Sequence, residues 1–336
     1  MRILVTGSAG FVGFHLAKRL LKDGHEVLGL DAMTPYYDVT LKQNRHAVLK
    51  RHNGFYEAVQ QLEDRDALET LIGEHKPEII CHLAAQAGVR YCIEHPRAYV
   101  DANLIGTFNI IEAARHHKLV HLLMASTSSV YGANTEMPFR ENDKADTPLT
   151  LYAATKKATE LMSHSYSHIW DIPTTMFRFF SVYGPWGRPD MALFKFVEAM
   201  LKDQPIDVYN GGDMLRDFTY VEDLVEGIVR LFACPPERGK PVGPKGLDSL
   251  SPVAPWRVVN IGRGAAVNLN DFITEIERCL GRKAKKNLLP MQVGDVAATT
   301  ADASLLYALT GYRPATAVPE GVKAFCDWYQ AHYAVK

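Results

Sequence analysis

The stretch RILVTGSAGFVG, residues 2–13, joins a strand pattern to a helix pattern through a glycine-rich turn. Arg2–Thr6 is rich in β-forming residues, and Phe11–Lys22 repeats apolar side chains at helical spacing. The turn Gly7–Gly13 has glycine at its first, fourth and seventh positions, which lets the backbone approach a pyrophosphate. The N-terminus of the following helix offers free N–H groups to that anion. The stretch therefore predicts a dinucleotide-binding β-turn-α unit, with a purely structural turn as the alternative.

Further strand and helix patterns alternate along the first 180 residues. Strands are predicted at 26–30, 78–83, 120–125 and 173–179, and helices at 68–75, 99–117 and 152–170. Repeated β-α-β units with short connections indicate a parallel sheet covered by helices on both faces. We therefore expect the α/β class, with a Rossmann doubly wound parallel sheet.

The chain changes character after residue 180. Its 336 residues exceed the roughly 250–300 at which one hydrophobic core stops growing. Proline and glycine cluster at 183–189, 235–256 reads as a long surface loop, and a last helix is predicted at 319–333. We expect residues 1–180 to form a nucleotide-binding domain, with segments returning near 214–234 and 257–262. Residues 181–336 would form mainly a smaller, partly discontinuous C-terminal substrate-binding domain.

The composition narrows the possible partners. Lys and Arg number 37 and Asp and Glu 38, so the formal charge is −1, and no basic block stands out. This balance argues against nucleic-acid binding. No apolar run reaches the roughly 18 residues of a membrane span, and the N-terminus does not resemble a signal peptide. The five cysteines are scattered without C-x-x-C spacing. We expect a reduced, cytoplasmic protein with no metal site and no membrane partner.

Asp31 follows the second predicted strand, where a carboxylate can accept hydrogen bonds from the ribose of an adenosine. Ala32 and Met33 come next, so no basic residue directly follows the acid. A 2′-phosphate at this position would meet negative charge. The sequence therefore favours NAD over NADP.

Tyr152 and Lys156 form a Y-x-x-x-K pair that shares one helix face. A nearby ammonium group favours phenolate and so lowers the pKa of a phenol, which would make Tyr152 a general base. The pair alone is weak evidence, because a solvated helix face shows it often. Hydroxyl residues at 126–129 strengthen it, since they follow a strand whose C-terminal end should meet the ligand.

Together these motifs resemble the extended short-chain dehydrogenase/reductase family, and in particular its NAD-dependent nucleotide-sugar epimerases. The resemblance covers the whole chain. Its further motifs are HLAAQAGVR at 82–90, Asn103 before Gly106, RFFSVYGP at 178–185, RDFTYV at 216–221 and GDV at 294–296. Within the family the chain is most similar to the UDP-glucuronate 4-epimerases, through YYDV at 36–39, GPWGRPDMA at 184–192 and the proline-rich loop that ends at Trp256.

The resemblance implies a role for each matching residue. Tyr152 would be the catalytic base, Lys156 its activator and a ribose ligand, and Thr127 the hydroxyl that contacts O4 of the sugar. Residues implied to bind NAD are Gly7, Ala9, Gly10, Phe11, Val12, Gly13, Asp31, Gln61, Leu62, Leu83, Ala84, Ala85, Gln86, Asn103, Tyr152 and Lys156. Residues implied or inferred to bind the UDP-sugar are Thr127, Ser128, Ser129, Ser181, Arg188, Arg216 and Asp295. A homodimer through the helices near 101–117 and 152–170 is also implied.

Three positions depart from common family patterns. Ala32 stands where Asn often follows the ribose acid, and Gln61 stands where an Asp often holds the adenine amine. Gln292 stands where UDP-galactose 4-epimerases often have Arg. Arg90 has two interpretations, since it would either reach a substrate carboxylate or pair with Glu94 on its own helix.

The implied reaction is the interconversion of UDP-glucuronate and UDP-galacturonate through a 4-keto intermediate with tightly bound NAD. Ser128-Ser129 replaces the Asp-Glu pair typical of 4,6-dehydratases, and Ser129 replaces the Glu typical of UDP-glucuronate decarboxylases. Decarboxylation and UDP-glucose/galactose 4-epimerisation remain alternative reactions. A catalytically inactive NAD-binding scaffold is the alternative from another class of protein, although both Tyr152 and Lys156 are present.

Overall fold

The computed structural model describes residues 1–292 and 294–334. Its strands are β1 (Arg2–Thr6), β2 (Glu26–Asp31), β3 (Phe55–Val59), β4 (Ile79–His82), β5 (His121–Thr127), β6 (Thr174–Phe179), β7 (Ser181–Tyr183), β8 (Ile206–Tyr209), β9 (Leu215–Tyr220), β10 (Trp256–Ile261), β11 (Ala266–Asn268) and β12 (Lys286–Leu289). Seven of them form one parallel sheet in the order β10-β6-β5-β4-β1-β2-β3. The predicted Rossmann-type α/β fold is confirmed.

The helices are α1 (Phe11–Lys22), α2 (Val39–Leu49), α3 (Arg65–His75), α4 (Tyr91–Glu94), α5 (Pro96–Tyr99), α6 (Thr107–His116), α7 (Leu151–Trp170), α8 (Ala192–Leu201), α9 (Val221–Leu231), α10 (Leu269–Leu280), α11 (Ser304–Thr310) and α12 (Val318–Tyr333). The predicted helix at 99–117 is interrupted, because Val100–Gly106 is π-helical between α5 and α6. Among the described residues, no helix is both long and apolar enough to cross a membrane.

Helices cover both faces of the main sheet, as the alternating pattern predicts. On one face, Leu16 and Leu20 of α1 share a buried core with Leu224 and Ile228 of α9. On the other face, a second core joins side chains of α3 and α6 to β1 and β2. The late segment β10 enters the main sheet beside β6, whereas β9 lies in a separate three-stranded sheet, β11-β9-β7. Segments far apart in sequence therefore meet around β1 to β6.

A further core is built from the C-terminal half. Its buried side chains include Phe194 of α8, Phe218 of β9, Phe272 of α10 and Phe325 of α12. Phe218 and Phe272 stack with ring centroids 4.0 Å apart. A two-stranded sheet, β12-β8, extends this region. This C-terminal core faces the C-terminal ends of the main-sheet strands across a cleft.

Candidate active site

A cleft of about 940 Å³ opens where the strand order reverses, between β1 and β4. Ligands of doubly wound sheets bind at this point, outside the carboxyl ends of the strands. Predicted site residues that line it are Gly7, Gly10, Phe11, Val12, Gly13, Asp31, Gln61, Leu62, Leu83, Ala84, Ala85, Gln86, Thr127, Ser128, Ser129, Tyr152, Lys156, Ser181, Arg188, Arg216 and Asp295. The cleft therefore brings residues from both halves of the chain together.

The glycine-rich turn is closed by its own backbone. Gly10 N–H donates to the Gly7 carbonyl at 2.9 Å, and Gly7 N–H donates to the Leu30 carbonyl at 2.7 Å. A Cβ on Gly13 would lie 2.0 Å from the Gly7 carbonyl oxygen, so only glycine fits there. Gly7 adopts φ +73°, a region that glycine enters without steric cost. This tight turn leaves the first N–H groups of α1 at the cleft wall, where an anion would be stabilised.

Asp31 ends β2 at the same wall. Its carboxylate accepts hydrogen bonds from Ala9 N–H at 3.1 Å and Met33 N–H at 2.8 Å. Two oxygens with about four lone-pair sites leave acceptor capacity for the hydroxyls of a ribose. The position of the carboxylate therefore fits the ribose role that the sequence predicts for it.

Lys42 also lines this part of the cleft, although no site role was predicted for it, since it lies eleven residues beyond Asp31 on α2. The Lys42 ammonium donates to the Thr34 carbonyl at 2.9 Å and the Thr34 hydroxyl at 3.1 Å. Burial lowers the pKa of Lys42, while the Asp31 charge opposes that shift. No basic residue directly follows Asp31 in the sequence, but the fold places the Lys42 ammonium in the same part of the cleft.

Glutamines follow β3 on the adjoining wall. Gln61 is exposed at the cleft, where its side chain can meet a ligand. Gln60, which sequence reasoning did not single out, also lines the cleft. Its side-chain Nε2 is buried without a hydrogen-bond partner among the described residues. A buried unpaired donor is costly unless a ligand satisfies it, so Gln60 is a further candidate for contact with a cofactor.

Two predicted cofactor residues lie behind the wall. Ala9 is fully buried, and its backbone contacts Asp31 and the guanidinium of Arg45. Asn103 is also fully buried, in the π-helical segment. Its amide donates to the Gln86 carbonyl and the Thr155 hydroxyl, both at 3.1 Å, and accepts from Gln86 N–H at 2.9 Å. In this structure Asn103 therefore holds the Gln86 backbone against α7.

Thr127, Tyr152 and Lys156 meet at the C-terminal end of β5. Thr127 is the last residue of that strand, and the other two lie in the first turns of α7, whose N-cap is Thr150. The Lys156 ammonium donates to the Ala125 carbonyl at 2.8 Å. Burial raises the pKa of Tyr152, and hydrogen bonding to Thr127 opposes that shift. The lowered phenol pKa that the Y-x-x-x-K pair predicts is therefore not seen in the protein alone, because desolvation dominates.

The pKa of the Lys156 ammonium lies close to neutral pH. Burial lowers its pKa to about 8, and the Glu160 carboxylate one turn later opposes the shift. Glu160 is itself fully buried and paired with Arg178 at 2.9 Å. It also accepts a hydrogen bond from Ser126 at 2.7 Å. This buried network joins α7 to β5 and β6, the elements that place Thr127 and Tyr152.

Short hydroxyl side chains surround this centre. The Thr127 hydroxyl donates to the Ser129 hydroxyl and accepts from Ser129 N–H, both at 3.2 Å. Residues 128–131 form a 3₁₀ turn that presents Ser128 to the cleft. Ser181 approaches the same cleft from β7. Small polar donors thus line the space beside Tyr152, with no carboxylate at positions 128 and 129.

Arg188 enters the cleft from the loop after β7. Its guanidinium makes a bidentate ion pair with Asp190, with Nε 2.9 Å from Oδ1. The Tyr36 hydroxyl donates to the same carboxylate at 3.1 Å. The Asp190 charge raises the pKa of Arg188 despite burial, and the Arg188 charge acts in turn to lower the pKa of Tyr152. Arg188 therefore lies close enough to the catalytic centre to influence it electrostatically.

The far end of the cleft is closed by a cluster of charged side chains. Arg216 donates to the Val296 carbonyl at 2.7 Å and the Ala297 carbonyl at 3.2 Å. Arg90 pairs with Asp295 at 3.1 Å and stacks over the Tyr209 ring at 4.4 Å. Both interpretations of Arg90 from the sequence omitted this partner. Because Arg90 and Asp295 are 205 residues apart, only the tertiary structure reveals the pair.

Fold and cleft define a class: a doubly wound α/β protein with a dinucleotide-type turn and a Thr-Tyr-Lys set at one strand end. The model of the NAD dependent epimerase/dehydratase family matches residues 3–241, and the chain belongs to this family. The sequence-based assignment to the extended short-chain dehydrogenase/reductase family is confirmed.

Known proteins resemble the chain over nearly its full length. A probable UDP-glucuronate 4-epimerase from Rhizobium meliloti (strain 1021) is 58% identical over 334 residues, 99% of this chain and 98% of that protein. UDP-glucuronate 4-epimerase 4 from Arabidopsis thaliana is 42% identical over 99% of this chain and 76% of that protein. The crystal structure of UDP-glucuronic acid 4-epimerase from Bacillus cereus, in complex with UDP-glucuronic acid and NAD, superimposes with a TM-score of 0.88. It is 33% identical and covers 99% of this chain and 100% of that chain.

Proposed function

We propose that this protein is a UDP-glucuronate 4-epimerase that interconverts UDP-glucuronate and UDP-galacturonate with bound NAD. The observation that carries the proposal is the meeting of Thr127, Tyr152 and Lys156 in the same cleft as the glycine-rich turn. The similarity to enzymes of this activity supports the choice of substrate. The protein belongs, on this proposal, among the isomerases of nucleotide-sugar metabolism.

The cleft residues fit NAD. The turn at Gly7–Gly13 would hold the pyrophosphate, Asp31 the adenosine ribose, and Gln60 with Gln61 the adenine side. Tyr152 and Lys156 would bind at the nicotinamide ribose, near the reacting carbon of the sugar. NAD supplies an acceptor, and then a donor, for the hydride of C4. Nothing is consumed in a complete cycle, so a tightly retained cofactor suits the reaction.

Proton transfer falls to Tyr152. It would take the proton from O4 while C4 is oxidised and return it after the 4-keto sugar has turned its other face. A phenol of raised pKa stays protonated near neutral pH, so a positive charge beside it is required to favour the phenolate that accepts the proton. Arg188 supplies one such charge. Lys156, one helical turn beyond Tyr152, would supply a second. Thr127 would hold O4 through its hydroxyl.

The carboxylate of the sugar needs restraint, because oxidation at C4 makes a β-keto acid. Such an acid loses CO₂ when the bond between C5 and the carboxylate aligns with the carbonyl π system. Thr127, Ser128 and Ser181 offer short donors that would hold the carboxylate in another orientation. Hydroxyl side chains have few rotamers, so little entropy is lost on binding. Serines at 128 and 129 therefore support epimerisation over dehydration or decarboxylation.

The UDP part would lie at the C-terminal side of the cleft, with Arg188, Arg216 and Asp295 as ligands. The proposed domains follow from this assignment. Residues 1–180, with returning segments near 214–234 and 257–262, would form the NAD-binding domain, and residues 181–336 would mainly bind the UDP-sugar. The helix α9 packs on the main sheet rather than on the C-terminal core, which supports a returning segment there.

A homodimer through α6 and α7 is part of the proposal. Both helices pack against the rest of the protein, yet large apolar side chains remain exposed on and beside them. They are Ile105, Phe108, Leu151, Leu161, Ile169 and Trp170. Exposed apolar patches of this kind mark contact surfaces. Sedimentation analysis of the wild type and of Leu161→Glu tests this, since the variant should shift a dimer toward monomer.

A reducing, cytoplasmic location is also proposed. The five cysteines Cys81, Cys92, Cys234, Cys279 and Cys326 are unpaired in the structure. Unpaired buried thiols are usual in a reducing compartment. Labelling of free thiols in freshly extracted protein tests this inference, because oxidised pairs would lower the number of labels.

The experiment that tests the function compares two substrates. Purified protein is incubated with UDP-glucuronate and, separately, with UDP-glucose, and the products are followed by NMR. The proposal predicts UDP-galacturonate from the first substrate at a much higher kcat/KM than UDP-galactose from the second. A UDP-pentose from UDP-glucuronate would identify a decarboxylase instead, and no product from either substrate would favour an inactive scaffold.

A further inference from the structure

Arg45 is a fully buried arginine to which the proposed mechanism gives no role. It lies on α2 with no measurable exposure, between the glycine-rich turn and the loop that carries Arg188. It does not line the cleft itself. A side chain in this position can act only through the residues that it holds.

Its guanidinium joins three segments of the chain. Nη1 donates to the Ala9 carbonyl and to the Tyr37 hydroxyl, both at 2.7 Å. Nη2 donates to the Trp186 carbonyl at 2.6 Å and to the Gly187 carbonyl at 3.4 Å. One planar fork therefore connects the proposed cofactor turn with the proposed substrate loop, a geometry that a lysine cannot reproduce.

All these acceptors are neutral, which is unusual for a buried cation. Among residues 1–292 and 294–334, no carboxylate lies within hydrogen-bonding distance of Arg45, and its Nε has no partner. The buried Arg178 and Arg257, in contrast, pair with Glu160 and Asp248 at 2.9 and 3.0 Å. An uncompensated buried charge is costly, so its retention points to a further source of stabilisation.

Arg45 bonds the backbone of Trp186, a residue with an unusual conformation. Trp186 has φ +59°, a conformation that is rare for a bulky residue and persists only where its surroundings enforce it. Its ring packs between Phe14 of α1 and Trp328 of α12, with centroid distances of 5.2 and 5.4 Å. Its carbonyl is fixed by Arg45. Because Arg188 follows two residues later, this fixed backbone sets where the Arg188 side chain begins.

The surrounding charges indicate what stabilises Arg45. Three cations interact electrostatically here: the buried Lys42 and Arg45 and the half-buried Arg188. Asp31 acts electrostatically on Lys42 and Arg45, and Asp190 pairs with Arg188. Three positive charges against two negative ones leave an excess of one, which a bound anion would balance. The adjoining glycine-rich turn is where the pyrophosphate of a dinucleotide would sit.

We propose that Arg45 is a positioning residue that couples cofactor binding to substrate binding. It fixes the glycine-rich turn through Ala9 and the Arg188 loop through Trp186, so that occupancy of one site favours the arrangement that the other needs. This inference rests on the proposed function, because it takes NAD and a UDP-sugar as the two ligands. Coupling of this kind is reciprocal, and each ligand tightens the binding of the other by the same factor.

The test measures binding rather than turnover. The affinity for UDP is determined by calorimetry on protein stripped of cofactor, with and without saturating NAD added back, for the wild type, Arg45→Lys and Tyr37→Phe. NAD retained on purification is measured in parallel. Arg257→Lys is the matched control, because it changes an equally buried guanidinium that bonds Asp248 rather than the cleft loops.

We expect NAD to tighten UDP binding in the wild type by a factor within the range of about 5–150 that is usual for coupled sites. In Arg45→Lys the factor should fall to about 1–2 with less NAD retained, and Tyr37→Phe should give a smaller change in the same direction. Arg257→Lys should keep the wild-type factor. Unchanged coupling in Arg45→Lys overturns the inference. If that variant does not fold, unchanged coupling in Tyr37→Phe overturns it instead.

These outcomes are separable from those of the proposed function. A wild type that binds NAD and UDP cooperatively, yet does not convert UDP-glucuronate, would refute the reaction and leave the role of Arg45 standing. A wild type that converts UDP-glucuronate, yet shows no coupling between the two ligands, would refute the role of Arg45 alone.

Discussion

The two ends of the cleft are built in different ways. At the end nearest β1 and β2, the wall is backbone: a seven-residue turn closed by its own hydrogen bonds, with Asp31 held by two N–H groups. At the opposite end, the wall consists of long charged side chains. Arg90, Arg216 and Asp295 come from separate segments and are held by an ion pair or by backbone carbonyls.

This difference suggests how each end responds to change. Backbone atoms of the glycine-rich turn are in close contact, so one added side-chain atom should displace the turn and disrupt binding at this end of the cleft. A wall of side chains can lose one member and keep its shape, so substitutions there should weaken binding by degrees. Retention of a cofactor over many turnovers suits the first construction, and exchange of substrate for product suits the second. Substitutions at either end of the cleft test this difference.

The largest effect is expected from Gly13→Ala. The added Cβ would lie 2.0 Å from the Gly7 carbonyl oxygen and 2.7 Å from its carbon, so α1 and the turn cannot both keep their places. We expect protein that folds but retains no NAD, measured by chromatography of the cofactor released on denaturation. Gly73→Ala in α3 is the control, because its Cβ would meet nothing closer than 3.9 Å. Normal NAD content in Gly13→Ala would refute the backbone account of this end.

The next effect belongs to the centre of the cleft. Tyr152→Phe keeps the ring and removes the phenol, so kcat should fall by roughly 10²–10⁴-fold, the usual cost of losing a general acid–base group. NAD content should stay at the wild-type level, because the glycine-rich turn is untouched. Tyr307→Phe, at an exposed position, is the matched control. A Tyr152→Phe enzyme with more than a tenth of wild-type kcat would exclude the tyrosine as the base.

At the side-chain end, Arg216→Met should raise KM rather than lower kcat. The substitution removes donors to the Val296 and Ala297 carbonyls and a charge beside Asp295. Loss of charged hydrogen bonds typically weakens binding by roughly 10–100-fold. Steady-state kinetics with UDP-glucuronate measures this, with the exposed Arg278→Met as control. A loss of bound NAD in Arg216→Met would show that Arg216 supports cofactor binding and would contradict its assignment to the UDP-sugar.

Asp31→Asn tests the cofactor end more gently than a glycine substitution does. It keeps the side-chain shape and removes the negative charge that would repel a 2′-phosphate. We expect discrimination between NAD and NADP to fall by about tenfold or more, since like-charge contacts are strongly unfavourable. Competition binding to protein stripped of cofactor measures the ratio. Equal affinities of the wild type for NAD and NADP would contradict the role given to this carboxylate.

The smallest effect is expected from the serines beside Tyr152. Ser128→Ala or Ser181→Ala should reduce epimerisation modestly and raise the fraction of turnovers that release CO₂ and a UDP-4-keto-pentose. The reason is that a less restrained carboxylate can rotate into alignment with the C4 carbonyl. Mass spectrometry of the products decides this. If neither variant yields more pentose than the wild type, other residues must restrain the carboxylate.

The glycine-rich turn and its flanking strand and helix were largely predictable from the sequence, because the determinants of this unit are local. The glycine spacing, the strand before it and the helix after it lie within about twenty residues, and hydrophobic periodicity reports such units well. The position of Asp31 after the second strand follows from the same pattern. The Y-x-x-x-K pair is equally local, since one helix presents both residues.

The contacts at the opposite end of the cleft were less predictable from the sequence, because they join segments that are far apart in the chain. No local pattern pairs Arg90 with Asp295 or brings Arg45 to Trp186. The helix predicted at 99–117 missed the π-helical segment, where Asn103 bonds the Gln86 backbone and Thr155. The direction of the Tyr152 pKa shift also depends on burial, which only the folded chain reveals.

In the proposed reaction, a hydrogen leaves C4 of UDP-glucuronate and returns to the other face of the same carbon. UDP-glucuronate carrying deuterium at C4 tests this directly, with the product analysed by NMR and mass spectrometry. We expect UDP-galacturonate that keeps the deuterium at C4 and gains no hydrogen from solvent at that carbon. UDP-galacturonate with solvent hydrogen at C4, or no UDP-galacturonate at all, would contradict it.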